Sequence, residues 1–216
     1  MKIEKGDFIE LDFVARVKEG NLVFDLTNES IAKKEGIYNS KFTYKPIVIC
    51  VGKGFVIKGL DDELTGKEIG KEYKLEVKSE NAFGKKDAKL LKMVPFNIFI
   101  KREINPVPGL QVNIDNMIGV IRSVSGGRVI VDFNHPLAGK DLVYDVKIIK
   151  KVDDIQEKLK SFIKAELGLN EKAYEIELKE KEAKIKCKID IPEKIQEVFI
   201  KEVEGSIKGI KIKFSK

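Results

Sequence analysis

Val51-Gly52-Lys53-Gly54-Phe55-Val56-Ile57-Lys58-Gly59-Leu60-Asp61 passes from one hydrophobic periodicity to another across two glycines. Ile47 to Val51 reads as a strand that stops at Gly52-Lys53-Gly54. Ile57 to Leu64 then reads as a short amphipathic helix, ending near Gly66. Upstream, Asp7 to Lys18 alternates apolar and polar residues, with Phe8, then Leu11, Phe13, Ala15 and Val17 on one face, which predicts a strand with one buried side. Glu19-Gly20-Asn21 is a turn, and Leu22-Val23-Phe24-Asp25 a short partner strand. Thr27 to Pro46 is polar and irregular and is expected to be a long loop, a length usually tied to function or mobility. Downstream, Lys71 to Lys78 alternates again, and Ala82-Phe83-Gly84 turns the chain.

The character changes near Asp87. Residues 94–110 interleave Pro95, Pro106 and Pro108 with Phe96, Ile98, Phe99 and Ile104. Gln111–Ile114, Met117–Ser123 and Arg128–Phe133 follow as strands, the last two joined through a Ser125-Gly126-Gly127 hairpin signal. Asp141 to Val152 is a further long strand, placed to close the first sheet. From Asp153 a unit of its own is expected: a helix from Ile155 to about Leu167 capped by Asp154 and stopped by Gly168, strands Tyr174–Leu178 and Ala183–Ile189, a helix starting at Pro192, and a last strand from Ile207 to Phe214.

The chain has 216 residues, 43% hydrophobic, and no apolar run near the length that crosses a bilayer. Its start, Met1-Lys2-Ile3-Glu4-Lys5-Gly6-Asp7, lacks the apolar stretch of a secretory signal, so a cytoplasmic location is expected. Cys50 and Cys187 sit far apart among alternating residues and read as small buried hydrophobes. A net charge of +6 arises from 41 basic and 35 acidic residues. These are interspersed rather than gathered into the basic stripe of a nucleic-acid site. One histidine, no Cys-x-x-Cys and no phosphate-loop spacing leave no basis for a metal or cofactor.

The order of motifs resembles the FKBP-type peptidyl-prolyl isomerases. Leu11-Asp12-Phe13, Leu22-Val23-Phe24-Asp25, the Val51–Asp61 stretch, Glu68-Ile69-Gly70-Lys71-Glu72, Asn81-Ala82-Phe83-Gly84, Asn134 to Lys140, and Leu142-Val143-Tyr144-Asp145-Val146 carry it. It covers residues 1–152, and the segment before Asn134 falls where SlyD-like members carry an insert-in-flap domain. The resemblance implies an α+β fold. It implies an antiparallel half-barrel sheet wrapped on a short helix (1–86 and 135–152), with a small mainly-β inserted client-binding domain (87–134); outside it, residues 153–216 read from their own pattern as a separate C-terminal α+β domain. It implies isomerisation of X–Pro bonds in unfolded or nascent chains, with no cofactor, no nucleic acid and no membrane. Carried over by position, the catalytic residues are Asp25, Phe13, Tyr144 and Phe83, and the substrate-binding residues are Phe24, Ile47, Val56, Ile57 and Leu60. Phe13 and Phe83 stand where many relatives have tyrosine, and Leu60 where many have tryptophan.

Each of these residues also has a plainer reading. An aspartate at a strand end often just accepts backbone N–H groups, and aromatics dominate cores. The apolar side chains of 87–134 can simply pack the small lobe, and the lone His135 reads as structural. Residues 153–216 match no motif, and a module of this size suggests a homodimer. The alternative function is a chaperone that binds clients without significant isomerase activity.

Overall fold

The computed structural model describes residues 1–215. In chain order the elements are β1 (Phe8–Val17), β2 (Val23–Leu26), α1 (Glu29–Lys34), β3 (Ile47–Cys50), α2 (Lys58–Leu64), β4 (Glu72–Val77), β5 (Leu91–Pro95), α3 (Phe96–Ile100), β6 (Gln111–Ile114), β7 (Met117–Ser125), β8 (Arg128–Asp132), β9 (Leu142–Lys151), α4 (Ile155–Leu167), β10 (Tyr174–Lys179), β11 (Glu182–Cys187), α5 (Glu193–Ser206) and β12 (Lys211–Ser215). The fold is mixed α+β with mainly antiparallel sheets. The chain divides into two compact units, residues 1–77 with 143–216, and residues 78–142. Among the described residues no helix is long and apolar enough to cross a membrane.

The first unit is built on a five-stranded sheet in the order β2-β1-β9-β4, with β3 also paired to β1. Ile9, Leu11, Phe13, Ala15 and Val17 of β1 are all buried, as the period-2 pattern requires for one covered face. Phe8 was expected on that same face but lies on the other. Strand parity sets it apart from Leu11 and Phe13, and it packs instead on Phe162 of α4. On α2, Leu60 and Leu64 are four residues apart and both buried, and the helix packs on β4. Asp61, in its first turn, is buried and accepts the backbone N–H groups of Gly52 at 2.8 Å and Gly54 at 2.9 Å. Both glycines have positive φ, 81° and 72°, a conformation costly for any residue with a Cβ. The glycine turn and the helix start thus form one closed loop.

The expected loop at Thr27–Pro46 contains a short helix, α1. The Asn28 side chain caps it by accepting from the Ile31 N–H at 3.2 Å. Buried Ala32 holds the helix against Val14, Val23 and Leu26. A single turn is too short to show helical periodicity in sequence.

Residues 153–215 form a three-stranded sheet, β10-β11-β12, with α4 and α5. The β11–β12 pair is parallel and therefore needs a crossover, which α5 supplies. Asp154 caps α4 by accepting from the Glu157 N–H at 2.8 Å, and Gly168 ends it with φ 64°. Expected as a separate module, this segment lies in the same compact unit as β1 and β3. Phe8 and Cys50 share one core with Leu159, Phe162, Phe199 and Ile212.

The second unit is a four-stranded antiparallel sheet, β5-β8-β7-β6. Val94, Phe99, Val112, Ile114, Ile121, Val129 and Val131 fill its core. Residues 94–110 include the one-turn helix α3, which buries Phe99. Ser125 pairs with Arg128, leaving Gly126 and Gly127 as a two-residue turn with φ 55° and 74°, the positive values such a hairpin turn favours. Asp132 is buried and receives the Arg122 guanidinium at 2.8 and 3.0 Å and the Asn134 backbone and side-chain N–H groups at 2.9 and 2.8 Å. Burial pushes its carboxyl up, but the hydrogen bonds from Asn134 and Arg122 outweigh this and hold its pKa at about 2.

Candidate functional site

Two neighbouring strands and one partner carry the centre of the candidate site. Phe13 comes from β1, Phe24 and Asp25 from β2, and Tyr144 from β9. The Tyr144 ring lies 5.8 Å from Phe13 and 6.3 Å from Phe24, tilted and edge-on, within the range of favourable aromatic pairing. Thr27 fixes β2 against β1. Its hydroxyl accepts the Phe13 N–H at 2.8 Å and donates to the Asp12 carboxylate, while its own N–H donates to the Phe13 carbonyl at 3.0 Å. Asp25 stands opposite Ala15 in the register.

The electrostatics follow from the packing. Asp25 keeps a face open to solvent, yet the protein around its carboxyl desolvates it and raises its pKa above the ordinary aspartate value. The Leu26 N–H and the Lys164 cation act against that rise. Tyr144 is buried, and burial pushes its phenol well up, with the nearby Asp25 carboxylate adding to the shift. At neutral pH the site therefore holds a neutral phenol beside a partly desolvated carboxylate.

The other expected positions are distributed as follows. Leu60 is buried on α2. Ile57 precedes α2, and its carbonyl accepts the N–H groups of Leu60 and Asp61, each at 3.0 Å. Val56 is half-buried beside it, and Ile47, half-buried, opens β3 opposite Leu11. Phe83 belongs to the second unit, where its ring stacks on His135 at 4.4 Å with the planes 4° apart. His135 Nδ1 accepts the Leu137 N–H at 3.2 Å, so this ring also shapes a turn. The structure thus gathers Phe13, Phe24, Asp25 and Tyr144, whereas Phe83 is placed with His135.

An open groove of about 560 Å³ is lined by Phe13 of the candidate site together with Asp12, Asn28, Tyr73, Asp145 and Lys147. By strand parity the Asp12 and Asp145 side chains point away from those of Phe13 and Tyr144. Among the described residues no group of three or more His, Cys, Asp or Glu side chains is arranged to hold a metal ion. Sequence reasoning gave no role to Thr27, Asp61 or Lys164. Their partners are backbone groups or distant charges, which leave no periodic signal.

Comparison with known proteins bears on the same residues. The family model "FKBP26, IF domain" matches residues 92–137, inside the second unit. A short-type peptidyl-prolyl cis-trans isomerase of Methanocaldococcus jannaschii is 32% identical over 146 residues, covering 68% of this chain and 92% of that protein. A probable FKBP-type 16 kDa peptidyl-prolyl cis-trans isomerase of Pseudomonas fluorescens is 29% identical over 153 residues, covering 68% and 91%. SlyD of Haemophilus influenzae, an FKBP-type peptidyl-prolyl cis-trans isomerase, is 28% identical over 153 residues, covering 69% and 72%. The chain belongs to the FKBP-type peptidyl-prolyl cis-trans isomerase family.

Proposed function

We propose that this protein isomerises X–Pro bonds in unfolded and partly folded chains, and that its pocket is the aromatic cluster around Asp25. The observation that carries the reading is the meeting of Phe13, Phe24 and Tyr144 beside a carboxylate that burial has partly stripped of water. Rotation of the amide faces a barrier of ~18–20 kcal/mol because resonance must be broken. The planar amide is the more charge-separated form, so a pocket that removes water from it disfavours the ground state relative to the twisted one. An aromatic wall that holds the proline ring adds orientation. Asp25 faces the dipole of the rotating carbonyl. Ile47, Val56, Ile57 and Leu60 complete the apolar wall of a half-barrel wrapped on α2. The chemistry needs no nucleophile and no cofactor.

The second unit is the client-holding lobe in this reading. Leu91, Met93, Ile100 and Ile118 are exposed on it, an apolar surface that binds chains without sequence specificity. On the C-terminal segment, Ile195 and Val198 share an exposed face of α5, and we assign that face to a homodimer. The test is the refolding of a protein limited by a prolyl bond. The full chain accelerates it, Asp25→Ala reduces the acceleration, and removal of 87–134 reduces it far more than it reduces turnover of a tetrapeptide. Equal losses on both substrates would remove the client-holding role.

A further inference from the structure

The turn between β3 and α2 is gripped from two sides. From α2, the Asp61 carboxylate holds the N–H groups of Gly52 and Gly54. The C-terminal segment adds two contacts of its own. The Phe55 ring meets Phe162 of α4 edge-on at 4.9 Å, and the Lys53 ammonium lies 3.1 Å from the Glu202 carboxylate of α5. Phe162 is fully buried, and Phe199 of α5 meets it edge-on at 6.5 Å, so the two helices back the turn as one block. Phe199 and Glu202 are three residues apart on α5 and therefore neighbours on its surface. Helix α4 does not reach the aromatic cluster through the sheet, because Phe8, its contact on β1, lies on the face opposite Phe13. Its route runs along the chain. Phe55 is bonded to Val56 and Val56 to Ile57, all three half-buried ahead of α2.

We propose that Phe162 and Glu202 are positioning residues of the isomerase site, holding Val56 and Ile57 of its apolar wall through Phe55 and Lys53. The proposal rests on the isomerase reading above. Gly52 and Gly54, both with positive φ, give the turn more backbone freedom than residues with a Cβ would. Asp61 restrains the glycines, but Phe55 comes after them, so the packing of its ring sets where Val56 and Ile57 begin. Each contact is a modest restraint. An edge-on aromatic pair is equivalent to about two- to tenfold in an equilibrium. A partly exposed ion pair is equivalent to at most about fivefold and is screened by salt.

The test measures kcat and KM on an X–Pro tetrapeptide, with amide hydrogen exchange at Val56 and Ile57, in the full chain. Phe162→Leu is expected to raise KM about two- to tenfold with kcat nearly unchanged. Glu202→Lys is expected to raise KM by up to about fivefold at low ionic strength, and the charge swap Lys53→Glu with Glu202→Lys to restore it. Exchange at Val56 and Ile57 quickens in both single variants, while amides of β1 and β9 keep their protection. A variant that has only lost stability behaves differently: its folded fraction falls, kcat drops at constant KM, and exchange quickens across the whole unit. That pattern, or an unchanged KM, overturns the role of the residue replaced. Should Phe162→Leu fail to fold, Glu202→Lys and the charge swap decide, since that pair is partly exposed. Absence of turnover by the wild type would instead sink the isomerase reading, while exchange at Val56 and Ile57 still decides whether the C-terminal segment holds the turn.

Discussion

Asp25 and Tyr144 show how the site depends on single side chains. The carboxyl of Asp25 is raised by burial, so its ionisation opposes folding. Stability from this group is greatest at low pH and is lost as pH rises through its folded pKa. Catalysis runs the other way if the carboxylate is the working form. The acid limb of kcat/KM is then expected above the ordinary aspartate value of about 4. It should vanish in Asp25→Asn, whose thermal midpoint at neutral pH should be equal or higher. A rate profile that keeps the same acid limb in Asp25→Asn contradicts this assignment. Asp61 has a structural role, and Asp61→Ala removes the acceptor of the Gly52 and Gly54 N–H groups, at a cost of about 1–3 kcal/mol in chemical denaturation. Motif order let the sequence point to Phe13, Phe24, Asp25 and Tyr144 together. Thr27 and Asp61 stayed hidden because a hydrogen bond to a remote backbone N–H has no spacing to read.

At the scale of elements, strands were legible wherever one face is covered, as in β1, β4 and the β7–β8 hairpin with its Gly126-Gly127 turn. The one-turn helices α1 and α3 were not, since each buries only one fully covered residue, Ala32 or Phe99. Phe8 shows a different limit. A strand buried on both faces no longer alternates, so parity has to come from its partners. In the second unit, a Cβ at Gly119 would meet Val131 and Phe133 at 2.7 Å. Gly119→Ala is therefore expected to destabilise the insert by about 1–3 kcal/mol, seen as an early transition in thermal unfolding with the site aromatics still protected. The depressed Asp132 carboxyl stabilises this unit above pH 4 or so, and that contribution fades as pH falls toward its folded pKa of about 2.

For the whole molecule, the C-terminal segment is the part that sequence described least well. Its helices, caps and strands could be read, but its shared core with β1 and β3 could not, because those contacts join residues distant in the chain. Phe162, fully buried between Phe8 and Phe55, makes the segment part of the first unit. Phe162→Ala is expected to cost about 3–5 kcal/mol and to lower the stability of the site strands and the C-terminal sheet in a single transition. Two separate transitions would show that they fold independently. The central claim, that the cluster around Asp25 and Tyr144 rotates prolyl bonds, is tested most directly by a protease-free relaxation assay on an X–Pro tetrapeptide series. Faster relaxation with the wild type, clearly reduced in Asp25→Ala at unchanged secondary structure, is the predicted result. No acceleration for any X residue, or full acceleration by Asp25→Ala, would contradict it.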